Sequence, residues 1–388
     1  MSKISLKHSG GNVVSLNSPT NAPGAADVAF KLPNADGSDG QALVTDGSGN
    51  LSFTSISGAG KATNLMINGA MRVAQRGTSS TSSGYQTVDR ILFGYSGHDE
   101  GLTQSQGDVA SGTTPYTLGF RKTFKVTNGN QTSGAGSSDY VYIDYSFEAQ
   151  DIANSGWNYT SASSFVTFSF WVKSSVAQAF KGYFITSDGS TYSYAFDTGS
   201  LSADTWTKVT KTIPGNSNLT INNDNGKGFG WAIWPFIGTD LTDNSQSEDA
   251  WVTHSGSART KDATSTWWTT NDATFEITGV QLEVGSVATD FQHRVIGEEL
   301  ALCQRYFWKP SGSTNSFGFY GGRYGNSHFF VLIYLPTTMR TAPTVSGTPG
   351  VSGTSASASA STELLQYYIS NSTSNYISYS TVSADAEL

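Results

Sequence analysis

The sequence predicts an all-β chain. Its main domain is an antiparallel jelly-roll/β-sandwich, preceded by an N-terminal β-hairpin stem and followed by one short helix and a small C-terminal β-domain. Three observations lead there. Apolar residues alternate at period two in several runs, as half-buried antiparallel strands require. Clusters of Gly, Asn, Asp and Ser separate those runs, where turns need residues that tolerate unusual backbone angles. Of the 388 residues, 42 are Gly and only 13% are charged, yet 12% are aromatic. Charge is thus well below the roughly 25% of an average soluble protein, and the aromatic content excludes a disordered chain.

Residues 1–60 contain no tryptophan. Short apolar pieces (Val13–Leu16, Val28–Leu32, Ala42–Val44 and Leu51–Phe53) alternate with turn signals, notably DGSDG at Asp36–Gly40 and DGSGN at Asp46–Asn50. The second lies between QALVT and LSFTS and reads as a hairpin. A lone hairpin is marginal in water, but three copies around an axis would bury Leu43, Leu51 and Phe53 together. The region therefore reads as a trimerising stem and attachment point, with a flexible tail as the open alternative. SISGAGKAT, Ser55–Thr63, reads as a linker.

The main domain is assigned to 61–295. In Tyr140–Phe147, Val141, Ile143, Tyr145 and Phe147 share one face. In Phe165–Lys173, Val166, Phe168, Phe170 and Val172 share one face, and Thr167, Ser169, Trp171 and Lys173 the other. In Glu276–Val284 the inward set is Val280, Leu282 and Val284. A helix is expected over 296–309. Ile296, Leu300, Cys303 and Phe307 form its apolar stripe, Glu298 and Glu299 suit its start, Arg305 and Lys309 suit its end, and Pro310 stops it. From 310 to 388, Phe317–Tyr320, Ser327–Leu335, Leu364–Ile369 and Tyr376–Val382 read as strands. FFVLIYL is apolar enough to be buried on both faces, and Gly347–Ser361 is low-complexity.

The formal net charge is −8 and the basic residues are scattered, which excludes a nucleic-acid groove. The single cysteine, Cys303, rules out a disulfide within the chain; packing and chain association must hold the fold, which fits assembly in a reducing cytoplasm. No apolar run is long enough to span a membrane, and MSKISLKHSGG lacks the apolar core of a signal peptide. Asp240, Asp243, Glu248 and Asp249 match no calcium-loop spacing and read as a solvated acidic loop, so neither metal nor cofactor is expected. Glu148, Glu276 and Glu283 fall on strands without a catalytic spacing. The five histidines form no legible triad, and Cys303 reads as a small buried residue. A non-enzymatic protein is expected.

Aromatic rings stack on the apolar faces of sugars while amide and carboxylate groups match the hydroxyls. On that logic the ligand-binding candidates are Trp171, Trp231, Trp234, Trp251, Trp267 and Trp268, with core packing as the competing reading of each. Pro235 within GWAIWPFIG suggests an edge or bend. Trp267 and Trp268 lie in the polar stretch TKDATSTWWTTND; as neighbours on a strand they would face opposite ways, leaving one ring exposed.

Several of these segments resemble known proteins. NLMINGAMRVAQRGTSS at 64–80 with VDRI at Val88–Ile91, and ITGVQLEVGSVATDFQHR followed by ELALCQRYF at 277–307, resemble fibre, spike and decoration proteins of tailed bacteriophages. GQALVTDGSGNLSF resembles short hairpins near the base of such fibres. SFWVKSS at Ser169–Ser175 and DTWTKVTKTIPG at Asp204–Gly215 resemble carbohydrate-binding jelly-roll modules, in which the position of Trp206 serves packing. The resemblance covers about 61–310. It implies a homotrimeric virion protein, assembled in the host cytoplasm, that joins other virion proteins through its stem and binds a host surface glycan. A capsid decoration or head fibre without receptor role, and less strongly a polysaccharide depolymerase, are the alternatives.

Overall fold

In the computed structural model the period-two runs become strands of two stacked antiparallel sheets. The structure describes residues 3–7, 10, 13–17, 31–34, 36–37, 41–46, 48, 50–55, 64–310, 317–320, 322–324, 328–347, 356–370, 376–379 and 382–388. The chain divides into two units, Met1–Lys61 and Ala62–Leu388.

In the first unit, Lys3–Lys7 (β1) pairs with Val13–Asn17 (β2), and Gln41–Thr45 (β3) with Leu51–Ser55 (β4). The second is the hairpin expected around DGSGN. Asp46 ties its turn: Oδ1 accepts the Ser48 and Asn50 backbone N–H groups at 2.8 and 3.1 Å. Leu43 and Phe53 face each other across it yet remain 49% and 38% exposed. The first hairpin was not anticipated, although the sequence SGGN at 9–12 between its strands is itself a turn signal. Of the expected turn at Asp36–Gly40 only 36 and 37 are described, and 28–30 and 56–63 lie outside the described residues.

The second unit opens with the sandwich. In chain order its strands are Ser79–Ser80 (β5), Leu92–Ser96 (β6), Thr103–Asp108 (β7), Lys122–Thr127 (β8), Tyr140–Glu148 (β9), Phe165–Ser174 (β10), Lys181–Thr186 (β11), Tyr192–Asp197 (β12), Thr207–Pro214 (β13), Lys227–Ile237 (β14), Trp251–Thr253 (β15) and Thr274–Val284 (β16). They form two six-stranded sheets, β13-β10-β16-β8-β7-β5 and β15-β12-β11-β14-β9-β6. Between them lies one core. The apolar faces expected for β9 and β10 are all buried in it, from Val141 to Phe147 and from Val166 to Val172.

β16 changes face midway. Phe275 and Ile277 point inward, as do Val280 and Leu282, so the inward residues switch from odd to even numbers. The switch is a bulge: Trp171 pairs with Thr278 but Ser169 with Gln281. Gly279 absorbs the extra residue at φ +60°, a conformation costly for a residue with a Cβ. Val284, expected inward, is half-buried at the strand end.

Among the described residues the α-helices are short: Thr114–Thr117 (α1), Ala149–Ala153 (α2), Thr266–Thr269 (α3) and Ile296–Gln304 (α4). α4 stops five residues before the expected end at 309, and Pro310 is not what stops it. The Arg305 side chain turns to grip both oxygens of Glu148 at 2.7 Å, and Phe307–Trp308 (β17) leaves in extended form to pair with the C-terminal segment. Cys303 is buried beside Ile67, Val73 and Tyr306, whereas Ile296 stays exposed. Glu299 is buried rather than displayed at the helix start: its Oε1 accepts the Asn68 backbone N–H at 2.6 Å.

The remaining strands are Phe317–Tyr320 (β18), Gly322–Tyr324 (β19), His328–Tyr334 (β20), Thr344–Ser346 (β21), Ala356–Ala360 (β22), Leu364–Ser370 (β23), Tyr376–Tyr379 (β24) and Ser383–Asp385 (β25). They form the sheets β19-β20-β23-β22, β17-β25-β21 and β18-β24. Val331, Ile333, Leu365, Tyr367 and Val382 make a separate core. FFVLIYL is buried on one face only, since Leu332 and Tyr334 are 40% and 77% exposed; no second layer covers that side among the described residues. Within the low-complexity stretch, Ala356–Ala360 pairs with β23.

The opening and closing motifs, over 200 residues apart in sequence, meet in one buried polar joint. Arg294 donates to the Asn64 and Met66 carbonyls, and Gln75 donates to the Phe307 carbonyl at 2.7 Å. Arg90 is fully buried; it pairs with Glu387, donates to the Ser146 carbonyl at 2.5 Å and lies 3.5 Å from the Tyr306 ring centre. Arg76 binds Asp385 at 2.9 Å and Glu387 at 3.3 Å. The sequence features most specific to the phage resemblance thus hold the sandwich, α4 and the C-terminal strand together.

Asp89 makes this joint sensitive to pH. Burial pushes its carboxyl from 3.8 up to about 6, against hydrogen bonds from Gln75 and the charge of Arg76. The folded chain therefore holds this proton more tightly than the unfolded chain. The contribution to stability is complete below pH 4 and is lost as pH rises through 6, by about 3 kcal/mol at most. Unfolding by urea at pH 4, 5, 6 and 7 should show this slope in the native chain and not in Asp89→Asn. Parallel slopes in both would place the titration elsewhere.

Candidate functional site

The core-facing alternation of β9 also dictates its other face. With Val141, Ile143 and Tyr145 inward, Tyr140, Tyr142 and Asp144 point outward. On β14, Phe229, Trp231 and Ile233 point into the core, which sends Ala232 and Trp234 out. Pro235 follows in a central strand, at a register shift between Ile233 and Phe236 that returns Phe236 to the core; of the edge and the bend expected there, it is the bend. Tyr183 on β11 stands opposite Ala232. These outward residues form a second apolar cluster, to which Leu241 and Ala263 of the connection between β14 and α3 contribute.

Small residues leave room on this face. Tyr142 lies across Gly94 of β6, where a Cβ would come within 2.3 Å of its ring. Tyr142 and Tyr183 flank Trp234 with ring centres 5.2 and 6.1 Å away, the latter nearly parallel at 27°. His254 lies 5.9 Å from Tyr183, and the Arg259 guanidinium 5.3 Å from the Trp234 ring. Together with Asp144 and Lys227 they line an open cleft of about 380 Å³.

Two polar atoms of residues lining this cleft are buried without a hydrogen-bond partner among the described residues, Trp234 Nε1 and His254 Nδ1. Leaving such a group unsatisfied costs about 1–3 kcal/mol. Burial, and next the charge of Arg259, lower the His254 pKa from 6.5, so the ring is neutral at pH 7. Burial raises that of Asp144, against the attraction of Lys227. The cleft therefore combines aromatic edges, one neutral imidazole, a carboxyl and two cations, groups of the kind that bind a polyhydroxylated ring.

Of the six tryptophans put forward from sequence, Trp234 alone lines this cleft, and it too is buried, at 2% exposure. Trp231, Trp267 and Trp268 are fully buried and have no face to offer a sugar. Trp231 stacks on Tyr145 within 7° of parallel. Trp267 and Trp268 donate to the Thr274 and Gly134 carbonyls at 3.1 and 2.8 Å. Both reach the core because they sit on α3, not on a strand: neighbours on a helix diverge by about 100°, not 180°. Trp251 on edge strand β15 is half-buried, with Nε1 bound to the Pro214 carbonyl at 2.7 Å and its ring edge-on to Tyr194. Trp171 lies on the outer face of the other sheet beside Phe120 and Phe291, lining a cavity of about 250 Å³. Trp206 is half-buried, with the Lys173 ammonium 5.2 Å from its ring. Tyr142, Tyr183, His254 and Arg259 escaped the sequence reading.

The acidic residues read as a solvated loop are spread out. Glu248 pairs with Lys181 at 2.9 Å and Asp249 with Lys211 at 3.6 Å, while Asp240 and Asp243 bind Ser137 and Ser245. No group of three or more His, Cys, Asp or Glu converges among the described residues. Each strand glutamate is buried and engaged: Glu148 by Arg305, Glu276 by Lys173 at 3.0 Å, and Glu283 by Thr289.

No family profile matches the chain, and no curated protein sequence matches it. Solved structures overlap it in part. The enzymatically active domain of bacteriophage CBA120 tailspike protein 4 is 10% identical over 57% of this chain and 22% of its own, with a TM-score of 0.31. A CBM4 module is 11% identical over 57% of this chain and 100% of its own (TM-score 0.29). A family 11 carbohydrate-binding module from Clostridium thermocellum, in complex with a β-1,3-1,4-mixed-linked tetrasaccharide, is 12% identical over 55% and 98% (TM-score 0.25). The chain spans about a fifth of the tailspike's length, as that 22% states. Overlap at these scores says nothing of ligand or role.

Proposed function

We propose that this chain is a non-catalytic fibre protein of a tailed phage. Its jelly roll holds a host-surface glycan in the cleft of Tyr142, Tyr183 and Trp234. Residues 1–60 join three copies and attach them to other virion proteins. The observation that carries this reading is the cleft itself, which Tyr142, Tyr183, Trp234, His254 and two cations line together. The exposed Leu43 and Phe53 of the hairpin support chain association, and the 64–80 and 277–307 motifs support the virion role.

An open aromatic cleft of this size binds weakly, and trivalency compensates: three linked sites gain about 10²–10⁴ in apparent affinity where geometry allows. The test is an array of bacterial surface polysaccharides, probed with the full chain and with a chain beginning at Lys61, each also weighed by light scattering. The full chain should be a trimer, bind one class of polysaccharide and release no reducing ends. The shortened chain should be a monomer and bind the same class at least about 100-fold more weakly. Equal mass and equal binding would overturn the stem; release of reducing ends would make the protein a depolymerase.

A further inference from the structure

We propose that the glycan is acidic, a polymer containing uronic acid whose carboxylate is taken by Arg259; this rests on the cleft being the glycan site. The charges of the cleft point to it. In a chain with 22 basic and 30 acidic residues, the cleft gathers Arg259 and Lys227 beside the carboxyl of Asp144 and the terminal residue Leu388. That carboxyl already has a counter-ion, since Lys227 Nζ stands 3.8 Å away, and the Ser146 hydroxyl donates to it at 3.4 Å.

Arg259 has no such partner. Its Nε donates to the Gly256 carbonyl at 3.2 Å, and among the described residues neither Nη atom meets an acceptor nor does the group join an ion pair. The contrast with Lys181 on the same sheet is instructive: that ammonium is held by Asp197 at 2.8 Å and Glu248 at 2.9 Å. Trp234 keeps the guanidinium near the cleft by its 5.3 Å cation–π contact, which favours a planar cation over the aromatic face. A planar fork with both outer nitrogens available matches a carboxylate in bidentate fashion. A uronate in the cleft would present its carboxylate there. The net −8 of the chain repels a polyanion at long range, so such a ligand needs a local unpaired cation such as Arg259.

The test uses the full chain and the same polysaccharide array, with each uronic-acid polymer (polygalacturonate and alginate among them) present beside a copy whose carboxyl groups have been reduced to alcohols. The native chain should bind at least one acidic polymer about tenfold or more above its reduced copy. In Arg259→Gln that ratio should fall towards one, with the thermal unfolding midpoint monitored to show that the fold persists. Equal binding of acidic and reduced copies, weakened by Tyr183→Ala, would leave the cleft as a neutral-sugar site and overturn this inference alone. A preference for acid that survives Arg259→Gln would also overturn it. Binding to no polysaccharide at all would overturn both this inference and the glycan reading.

Discussion

Arg90→Ala should lower the unfolding free energy by about 3–5 kcal/mol, the usual cost of removing one partner from a buried ion pair. Arg90 is fully buried, and its guanidinium is shared among Glu387, the Ser146 carbonyl and the Tyr145 and Tyr306 rings. Truncation leaves a cavity and a carboxylate with Arg76 as its remaining counter-ion, 3.3 Å away on the other oxygen. Because Glu387 follows β25, the last strand of the small sheet should loosen first. Denaturant unfolding measures the total, and hydrogen exchange at Ala384 and Asp385 reports the local loss. If the charge is the cause, Glu387→Gln in the Arg90→Ala background should restore part of the stability. A loss below about 1 kcal/mol in the single variant would mean that the joint is held by packing alone.

Gly279→Val should cost about 3 kcal/mol or more, for two separable reasons. At φ +60° a β-branched residue carries strain of roughly 1–2 kcal/mol. A Cβ at this position also lies 2.6 Å from the Phe120 ring, so the ring must move. Gly279→Ala meets the same first atom without the branch and should cost less; pairing it with Phe120→Leu should recover the steric part and leave the backbone part. If valine there costs no more than alanine, the bulge is not held in the left-handed conformation. The consequence for the fold is register: without the bulge, Val280 and Leu282 turn to the outer face while Phe275 and Ile277 stay inward.

These two positions also mark where the sequence is legible and where it is not. Period-two alternation reads correctly through β9 and β10, because the bulges in their pairing place the extra residue on the neighbouring strands, β14 and β16. In β16 it reads correctly only from Val280 onward; the inward role of Phe275 and Ile277 is masked by the bulge, and Gly279 is the one local sign of it. The tryptophans mislead for a physical reason. A large ring is as useful in a sandwich core as on a sugar, and the alternation that sends Trp231 into the main core turns Trp234, three residues on, to the outer face of the sheet, where it is buried in a second cluster. Tyr140 and Tyr142 were visible as the face opposite Val141 and Ile143, but their meeting with Tyr183, His254 and Arg259 depends on the strand order β11-β14-β9 and on a loop path, which local patterns do not encode. The helix end was misplaced because Arg305 is used in a tertiary pair with Glu148 and not as a helix-terminal cation.

The central claim is that the outward rings of β9, β11 and β14 hold the glycan. The most direct measurement is the dissociation constant of the preferred oligosaccharide, by titration calorimetry, for the native chain and for Tyr142→Ala, Tyr183→Ala and Trp171→Ala. Each cleft tyrosine should cost about 1–3 kcal/mol of binding, roughly 5- to 150-fold, by analogy with ring stacking on planar ligands, while Trp171→Ala on the opposite sheet should leave affinity within about twofold. Native affinity in both tyrosine variants, or a loss confined to Trp171→Ala, would contradict the account and move the site to the other face of the sandwich.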